Sequence, residues 1–356
     1  MNQYLLPVYT QTTLAKIHRI ITVVNTNTLA ELNTTMTQPL TLEQLQHCLA
    51  NDVDAEHVAT RLNLEESHHQ NVIRWHRKFF HLENWYSIHS LMRGCLRLAG
   101  LLKRGEDNTH KLKVVNNTIH LPHLPPAFDG FRILHLSDLH LDMDDSRVNV
   151  VASTLATLEY DICVLTGDYR ADTFGDSARS MQLLAQLREH INSDIYAVLG
   201  NHDSIRMVPF MNDMGIKTLI NSAVSLRKGR DIISLAGVDD GHYFQLDNIE
   251  KVATTLEPTR FTILLSHTPE LFHIAQQAHF DLFFCGHTHG GQICLPGGLP
   301  IILESRCPRQ LGKGNWQYQQ MHGYTSVGAG TSIINVRLNC PPEVAVHTLR
   351  CNGFST

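Results

Sequence analysis

Four short signatures rich in histidine and carboxylate follow one another along the chain. They are Asp138-Leu139-His140, Gly167-Asp168, Gly200-Asn201-His202-Asp203 and Gly286-His287-Thr288-His289, with a lone His267 between the last two. Hard carboxylate and amide oxygens mixed with imidazoles suit a pair of divalent cations better than one thiolate-rich structural zinc. A phosphoester resists attack because its oxygens repel an incoming anion. Two bridged cations about 3.5–4 Å apart answer that: they neutralise the phosphoryl oxygens and turn a shared water into hydroxide at neutral pH. Such a centre needs a bridging carboxylate, several imidazoles and neutral oxygen donors. Asp138, His140, Asp168, Asn201, His267, His287 and His289 supply that set. His202 is left free to donate a proton or to stabilise developing charge.

Singly, these signals are thin. Asp-x-His arises by chance, and Gly-Asp after a strand is commonly a turn. Gly-Asn-His-Asp is stronger, and Gly-His-Thr-His-Gly-Gly-Gln stronger again, because neighbouring glycines let backbone and ligands crowd a small volume. Their joint weight comes from position. Each follows an apolar run that reads as a buried strand, and open α/β sheets place their sites where strands end.

The elements alternate accordingly. Strands are predicted at 113–121, 131–136, 161–166, 194–199, 222–227, 231–238, 260–266 and 281–285. Helices are predicted at 147–159, 177–190, 205–214, 248–256 and 270–278, and a Gly-rich strand-like segment follows. This pattern predicts an α/β catalytic domain over 113–356. Residues 1–112 predict a helical extension. Thr41 with Gln44 caps the run Leu42, Leu45, Leu49; helices follow at Asp54–Leu62, from Glu65 to Phe79, and from Trp85 to Lys103, the last stopped by Gly105.

Composition narrows the class. Hydrophobic content of 43% is ordinary for a globular protein, and a formal charge of −5 gives no reason to expect nucleic-acid binding. The eight cysteines never form a Cys-x-x-Cys pair and predict reduced, mostly buried thiols. The N-terminus lacks a secretory pattern, and no stretch reaches the roughly 18 apolar residues of a membrane span. The expectation is a cytoplasmic protein. Within 74–104, Arg74, Arg77, Lys78, Arg93, Arg97, Lys103 and Arg104 oppose the single acid Glu83. Trp85, Ile88, Met92, Cys95, Ala99 and Leu102 share one helical face, a pattern that suits peripheral membrane contact. Packing on the catalytic domain is the plainer reading of the same stripe. A helix-turn-helix DNA reader over 41–80 is disfavoured, because Glu43, Asp52, Asp54 and Glu56 face only Arg61.

Together the signatures resemble the calcineurin-like metallophosphoesterase superfamily, over about residues 113–350. Phe128-Asp129-Gly130-Phe131, Gly286–Gln292, Ser326-Val327-Gly328-Ala329-Gly330 and Pro341-Pro342-Glu343 resemble a bacterial subgroup of phosphodiesterases and phosphatases. That subgroup includes a UDP-2,3-diacylglucosamine pyrophosphatase of lipid A synthesis. The resemblance implies a two-sheet β-sandwich flanked by helices. It implies one metal on Asp138, His140 and His289, another on Asn201, His267 and His287, and Asp168 bridging. His202 would protonate the leaving oxygen, with Asp203 orienting it. The metals implied are manganese first, with iron, zinc or magnesium as alternatives. Tyr169 and Arg170 depart from the apolar residue that often follows Gly-Asp in the family. The implied substrate is a phosphodiester or pyrophosphate, with a lipid-linked nucleotide such as UDP-2,3-diacylglucosamine the sharpest candidate. A broad phosphodiesterase or phosphomonoesterase and a non-catalytic metal-binding scaffold are the alternatives. His135 reads as a core histidine, His242 as a loop histidine able to reach a substrate, Cys285 as packing, and Gly297-Gly298 as a turn at the pocket rim.

Overall fold

The computed structural model describes residues 40–78 and 83–351, with side chains described outside 70–89. The described residues from Leu42 onward belong to one compact unit. Among the described residues four helices come first: α1 (Leu42–Leu49), α2 (Ala55–Lys78), α3 (Glu83–Leu98) and α4 (Leu102–Asn108). Then follow β1 (Lys113–Leu121), β2 (Arg132–Leu136), α5 (Arg147–Leu155), β3 (Ile162–Leu165), α6 (Ala178–Arg188), β4 (Asp194–Ala197), α7 (Val208–Asp213), β5 (Ile216–Thr218), β6 (Ser222–Lys228), β7 (Asp231–Gly237), α8 (Ile249–Thr254), β8 (Thr262–Leu265), α9 (Phe272–Gln277) and β9 (Leu282–Cys285). The chain closes with β10 (Cys294–Leu295), β11 (Leu299–Pro300), β12 (Gly314–Tyr318), β13 (Met321–Thr325) and β14 (Glu343–Cys351).

Two six-stranded sheets result, ordered β1-β14-β2-β3-β4-β5 and β12-β13-β9-β8-β7-β6. The strands that lead into the signatures, β2, β3, β8 and β9, are short and almost wholly buried, as strands covered on both faces are. Alternation then decides what each face meets. Ile263, Leu265 and Phe284 point into the core shared with Ile133 and Val164 of the first sheet. Leu264 and Phe283 point the other way, into a cluster with Val252 of α8 and Ala275 of α9. This is a two-sheet sandwich flanked by helices.

Register explains how distant signatures meet. Leu136 pairs with Leu165 and Leu165 with Ala197, all in parallel. In the second sheet Leu265 pairs with Phe284, again in parallel. The C-terminal ends of β2, β3 and β4, and of β8 and β9, therefore finish level, and the turns after them carry every signature.

Several expectations shift. The two helices predicted over 54–79 are one continuous helix, since nothing between Leu62 and Glu65 breaks it. The next helix stops at Gly100, whose φ is +68°, and Gly105 lies inside α4. The buried side of this region is Met92, Leu96 and Leu102 against Ile334, Val336 and Leu338. Cys95 and Ala99, predicted on the apolar face, are exposed. Arg74, Arg77, Lys78, Trp85 and Ile88 of the basic stretch lie among the side chains outside the described residues. Strand β5 has no counterpart in the predicted elements. No helix among the described residues is long and apolar enough to cross a membrane. The eight cysteines are free, and five of them are buried.

Candidate metal centre

Five of the seven donors occupy a backbone that residues with side chains rarely adopt. Asp138, His140, Asp168, His287 and His289 have φ of 50°, 39°, 59°, 72° and 50°. A left-handed residue other than glycine costs about 1–2 kcal/mol, and such strain concentrates where surrounding structure over-determines it. The glycines make the approach possible. A Cβ at Gly200 would collide with the Asp168 carboxylate, and one at Gly286 with Ser137 Oγ and the Asp138 carboxylate.

Two buried clusters follow: Asp138, His140 and His289, and Asp168, His267 and His287, the donor atoms within each lying no more than 4.8 Å apart. His140 Nε2 lies 3.2 Å from His289 Nε2. His267 Nε2 lies 3.1 Å from His287 Nδ1 and 3.0 Å from Asn201 Oδ1, so the amide joins the second cluster. Asp168 stands between the clusters, its Oδ2 3.6 Å from His140 Nε2 and 3.3 Å from His267 Nε2. Main-chain carbonyls orient two of the rings. His140 Nδ1 meets Arg170 O at 2.8 Å and His267 Nδ1 meets Thr166 O at 2.8 Å, which turns each Nε2 inward.

Burial dominates the electrostatics. It pushes Asp138 up to about 6 and His140 down to about 3, and holds His287 and His289 well below the ordinary imidazole value. Burial also works against charge on His267, but the Asp168 carboxylate beside it lifts that group to about 10. His287 Nε2 is buried without a hydrogen-bond partner. Buried polar atoms are normally satisfied, yet here imidazole nitrogens face one another and carboxylates across a buried pocket. A pair of divalent cations fits that donor set.

His202 is a fifth exposed at the side chain, with Nε2 3.9 Å from Asp168 Oδ2. Its Nδ1 lies 3.3 Å from Thr173 Oγ1. The Asp203 carboxylate, expected to orient this ring, does not take it as a hydrogen-bond partner. The Asp203 carboxylate instead accepts from the main-chain N–H groups of Asp168, Tyr169 and Gly200 at 2.7, 2.9 and 2.8 Å, stapling two signature turns together. Tyr169 and Arg170 are also structural. Tyr169 Oη donates to Val198 O at 2.7 Å, and Arg170 donates to the carbonyls of His202, Thr173 and Gly175.

Sequence reasoning missed Arg337, fully buried, which donates to His289 O at 3.0 Å and to the carbonyls of Val327 and Gly330. It also underrated His242, whose ring centroid lies 4.3 Å from that of His287 while Nδ1 meets Glu270 Oε1 at 3.1 Å. The tandem Asp239-Asp240-Gly241 before it was the available signal. Cys285 is buried against Thr325 Oγ1, and His135 lies in the core, as expected.

The calcineurin-like phosphoesterase family matches residues 131–291, which span every signature. The metallophosphoesterase YkuE of Bacillus subtilis (strain 168) is 30% identical over 256 residues, 68% of this chain and 86% of that protein. The phosphodiesterase YaeI of Escherichia coli (strain K12) is 28% identical, over 61% of this chain and 81% of that protein. The UDP-2,3-diacylglucosamine pyrophosphatase LpxG of Chlamydia trachomatis serovar D is 27% identical, over 67% of this chain and 89% of that protein. The chain therefore belongs to the calcineurin-like metallophosphoesterase family and is a hydrolase.

Proposed function

We propose that the chain hydrolyses a phosphodiester or pyrophosphate bond within a lipid-linked nucleotide such as UDP-2,3-diacylglucosamine. The observation that carries the reaction class is the pair of buried donor clusters with Asp168 between them. In this reading Asp138, His140 and His289 hold one ion, Asn201, His267 and His287 hold the other, and Asp168 is shared. Manganese is the first choice for both. When bound, such a pair supplies Lewis acidity toward the phosphoryl oxygens and lowers the pKa of water. The chain's own residues do the rest. His202, at the accessible edge of the pocket, gives a proton to the departing oxygen. Asp203 and Arg170 hold the turn that carries it, and Thr173 sets its ring. Residues 1–112 act as an extension serving the catalytic portion, 113–356.

The lipid-linked substrate is supported by the Chlamydia relative's name and by the basic stretch 74–104, which would hold the protein at the cytoplasmic face of a membrane. A second reading, a phosphodiesterase without lipid preference, is favoured by the E. coli relative's name. Assay of metal-reconstituted protein against bis-p-nitrophenyl phosphate, a phosphomonoester and detergent-dispersed UDP-2,3-diacylglucosamine separates them. Preferential turnover of the last is expected. Turnover of the first alone would replace the lipid reading with the broader one, and no turnover of any would remove both.

A further inference from the structure

Immediately after the Gly286–Gln292 motif the chain forms the β10–β11 hairpin and a returning loop. Here Leu295, Leu299, Ile301 and Ile302 are 49, 56, 54 and 71% exposed. Scattered apolar residues on a surface need no explanation, but four large ones within eight positions do. The hairpin is also held firmly against the metal motif. A Cβ at Gly291 would collide with Pro300 and with the Ile302 carbonyl, so this loop packs directly on the backbone two residues from His289.

Cations rim the same feature. The Lys313 amine donates to Gly298 O at the hairpin turn. Arg104 Nη2 lies 3.4 Å from Asn339 Oδ1, and the Asn339 amide donates to Cys294 O at 2.8 Å, which ties α4 to the hairpin's first strand. From Gly297 to Lys313 the chain carries Arg306, Arg309 and Lys313 against the single acid Glu304. Apolar side chains within a basic rim match the two layers of an anionic lipid interface: acyl chains below, phosphate above.

We infer that the β10–β11 hairpin and its returning loop form a membrane-docking surface that inserts Leu299, Ile301 and Ile302 into an anionic phospholipid layer beside the metal centre. The inference deepens the lipid-linked reading of that centre and rests on it. It adds to the helical stretch 74–104 a contact at the rim of the site, so that a substrate embedded in the layer reaches the metals without leaving it.

Flotation of the full chain with phosphatidylcholine vesicles, with and without phosphatidylglycerol, tests the surface alone. Co-flotation only with the anionic vesicles, weakened by salt, is expected. Leu299→Asp with Ile302→Asp should reduce it by about tenfold or more, while turnover of bis-p-nitrophenyl phosphate stays at the wild-type level. Should the double variant not fold, Ile302→Trp serves instead, and its fluorescence should shift to the blue when anionic vesicles are added. The inference is overturned if the wild type stays at the bottom of the gradient, or if the double variant floats equally well. An Ile302→Trp protein that is dimeric, with fluorescence from the introduced indole already blue-shifted before lipid is added, also overturns it. Hydrolysis of detergent-dispersed UDP-2,3-diacylglucosamine reads the substrate assignment separately, so either idea can fail alone.

Discussion

Arg61, on helix α2, donates from Nη2 to the main-chain carbonyl of Asp203 at 2.9 Å. Its guanidinium is fully buried, 3.4 Å from the centroid of Phe244, with Glu65 at 3.0 Å and Asp239 at 3.5 Å. Glu65 in turn accepts from Ser204 Oγ at 2.5 Å and from the Ile205 N–H at 2.9 Å. A helix lying before the family-matched stretch thus braces the turn that presents Asn201 and His202. Burial works against the Asp239 charge, yet Arg61 and His57 hold that carboxyl below its usual range.

Removing one partner of a buried ion pair commonly costs about 3–5 kcal/mol, because the other charge is left uncompensated. Arg61→Met should therefore lower stability by about that amount in urea titrations. It should also lower kcat on bis-p-nitrophenyl phosphate by about tenfold, as Asp203 loses its anchor. Arg61→Lys keeps the charge but not the planar fork, and should fall between the two. A folded Arg61→Met protein with wild-type kcat would separate the helix from the catalytic turn.

The donor clusters make a stricter demand. Asp168→Asn removes the one carboxylate lying between both groups, and His287→Ala removes a ring whose Nε2 has no other partner. Each variant should lose phosphoesterase activity and bind less metal by elemental analysis, with an unchanged circular dichroism spectrum. Chelation of the wild type should reproduce the loss, and divalent cation should restore it. Activity surviving in both variants would end the two-ion account.

The strand framework and the signatures were legible because local pattern and tertiary role agree. Strands such as Ile162–Leu165 are apolar and short because both faces are covered, and each ends where a donor must turn back. Arg61 and Arg337 were not legible, since a lone arginine reads as solvated surface and its burial depends on carbonyls far away in the chain. The glycines at 100 and 105 show a similar limit. Gly100 ends its helix with positive φ, whereas Gly105 stays helical because its missing side chain lets Val336 approach within about 3 Å of where a Cβ would stand. Two glycines of one type thus do opposite things, and only the packing partner distinguishes them. Asp203 shows the same limit: the resemblance implied a partner for His202, whereas the carboxylate's three main-chain N–H contacts depend on how two turns far apart in the chain are brought together.

The role given to His202 depends on what leaves. A positioned acid is worth about 10²–10⁴ in rate when the departing oxygen is basic. It is worth little for p-nitrophenolate, which departs without a proton. His202→Ala should thus lower kcat at least about a hundredfold on an alkyl phosphodiester and only a few-fold on bis-p-nitrophenyl phosphate. Thr173→Val, which removes the hydroxyl 3.3 Å from Nδ1, should show a weaker form of the same split. Equal losses on both substrates would mean that His202 binds the phosphoryl group and does not donate the proton.

Two histidines outside the centre should contribute to acid sensitivity. His135 Nδ1 lies 3.3 Å from His347 Nε2 in the core, with Thr166 Oγ1 2.8 Å from the far side of His135 and the Phe284 ring stacked on His347. Burial lowers His135 to about 3, and burial together with His135 holds His347 well below the ordinary value. Both are neutral when folded, while the unfolded chain takes up protons near pH 6.5. Because the unfolded state then binds more protons, stability rises with pH: this contribution is complete above about 6.5 and is lost progressively as pH falls toward the folded values. The slope is about 1.4 kcal/mol per pH unit for each histidine. His347→Phe keeps a ring against Phe284 and removes one of the two protons. Urea midpoints between neutral pH and pH 5 should therefore show a shallower decline by about one histidine's share, even if the variant starts out less stable. An identical slope in wild type and variant would mean that His347 stays protonated, or exposed, in the folded chain.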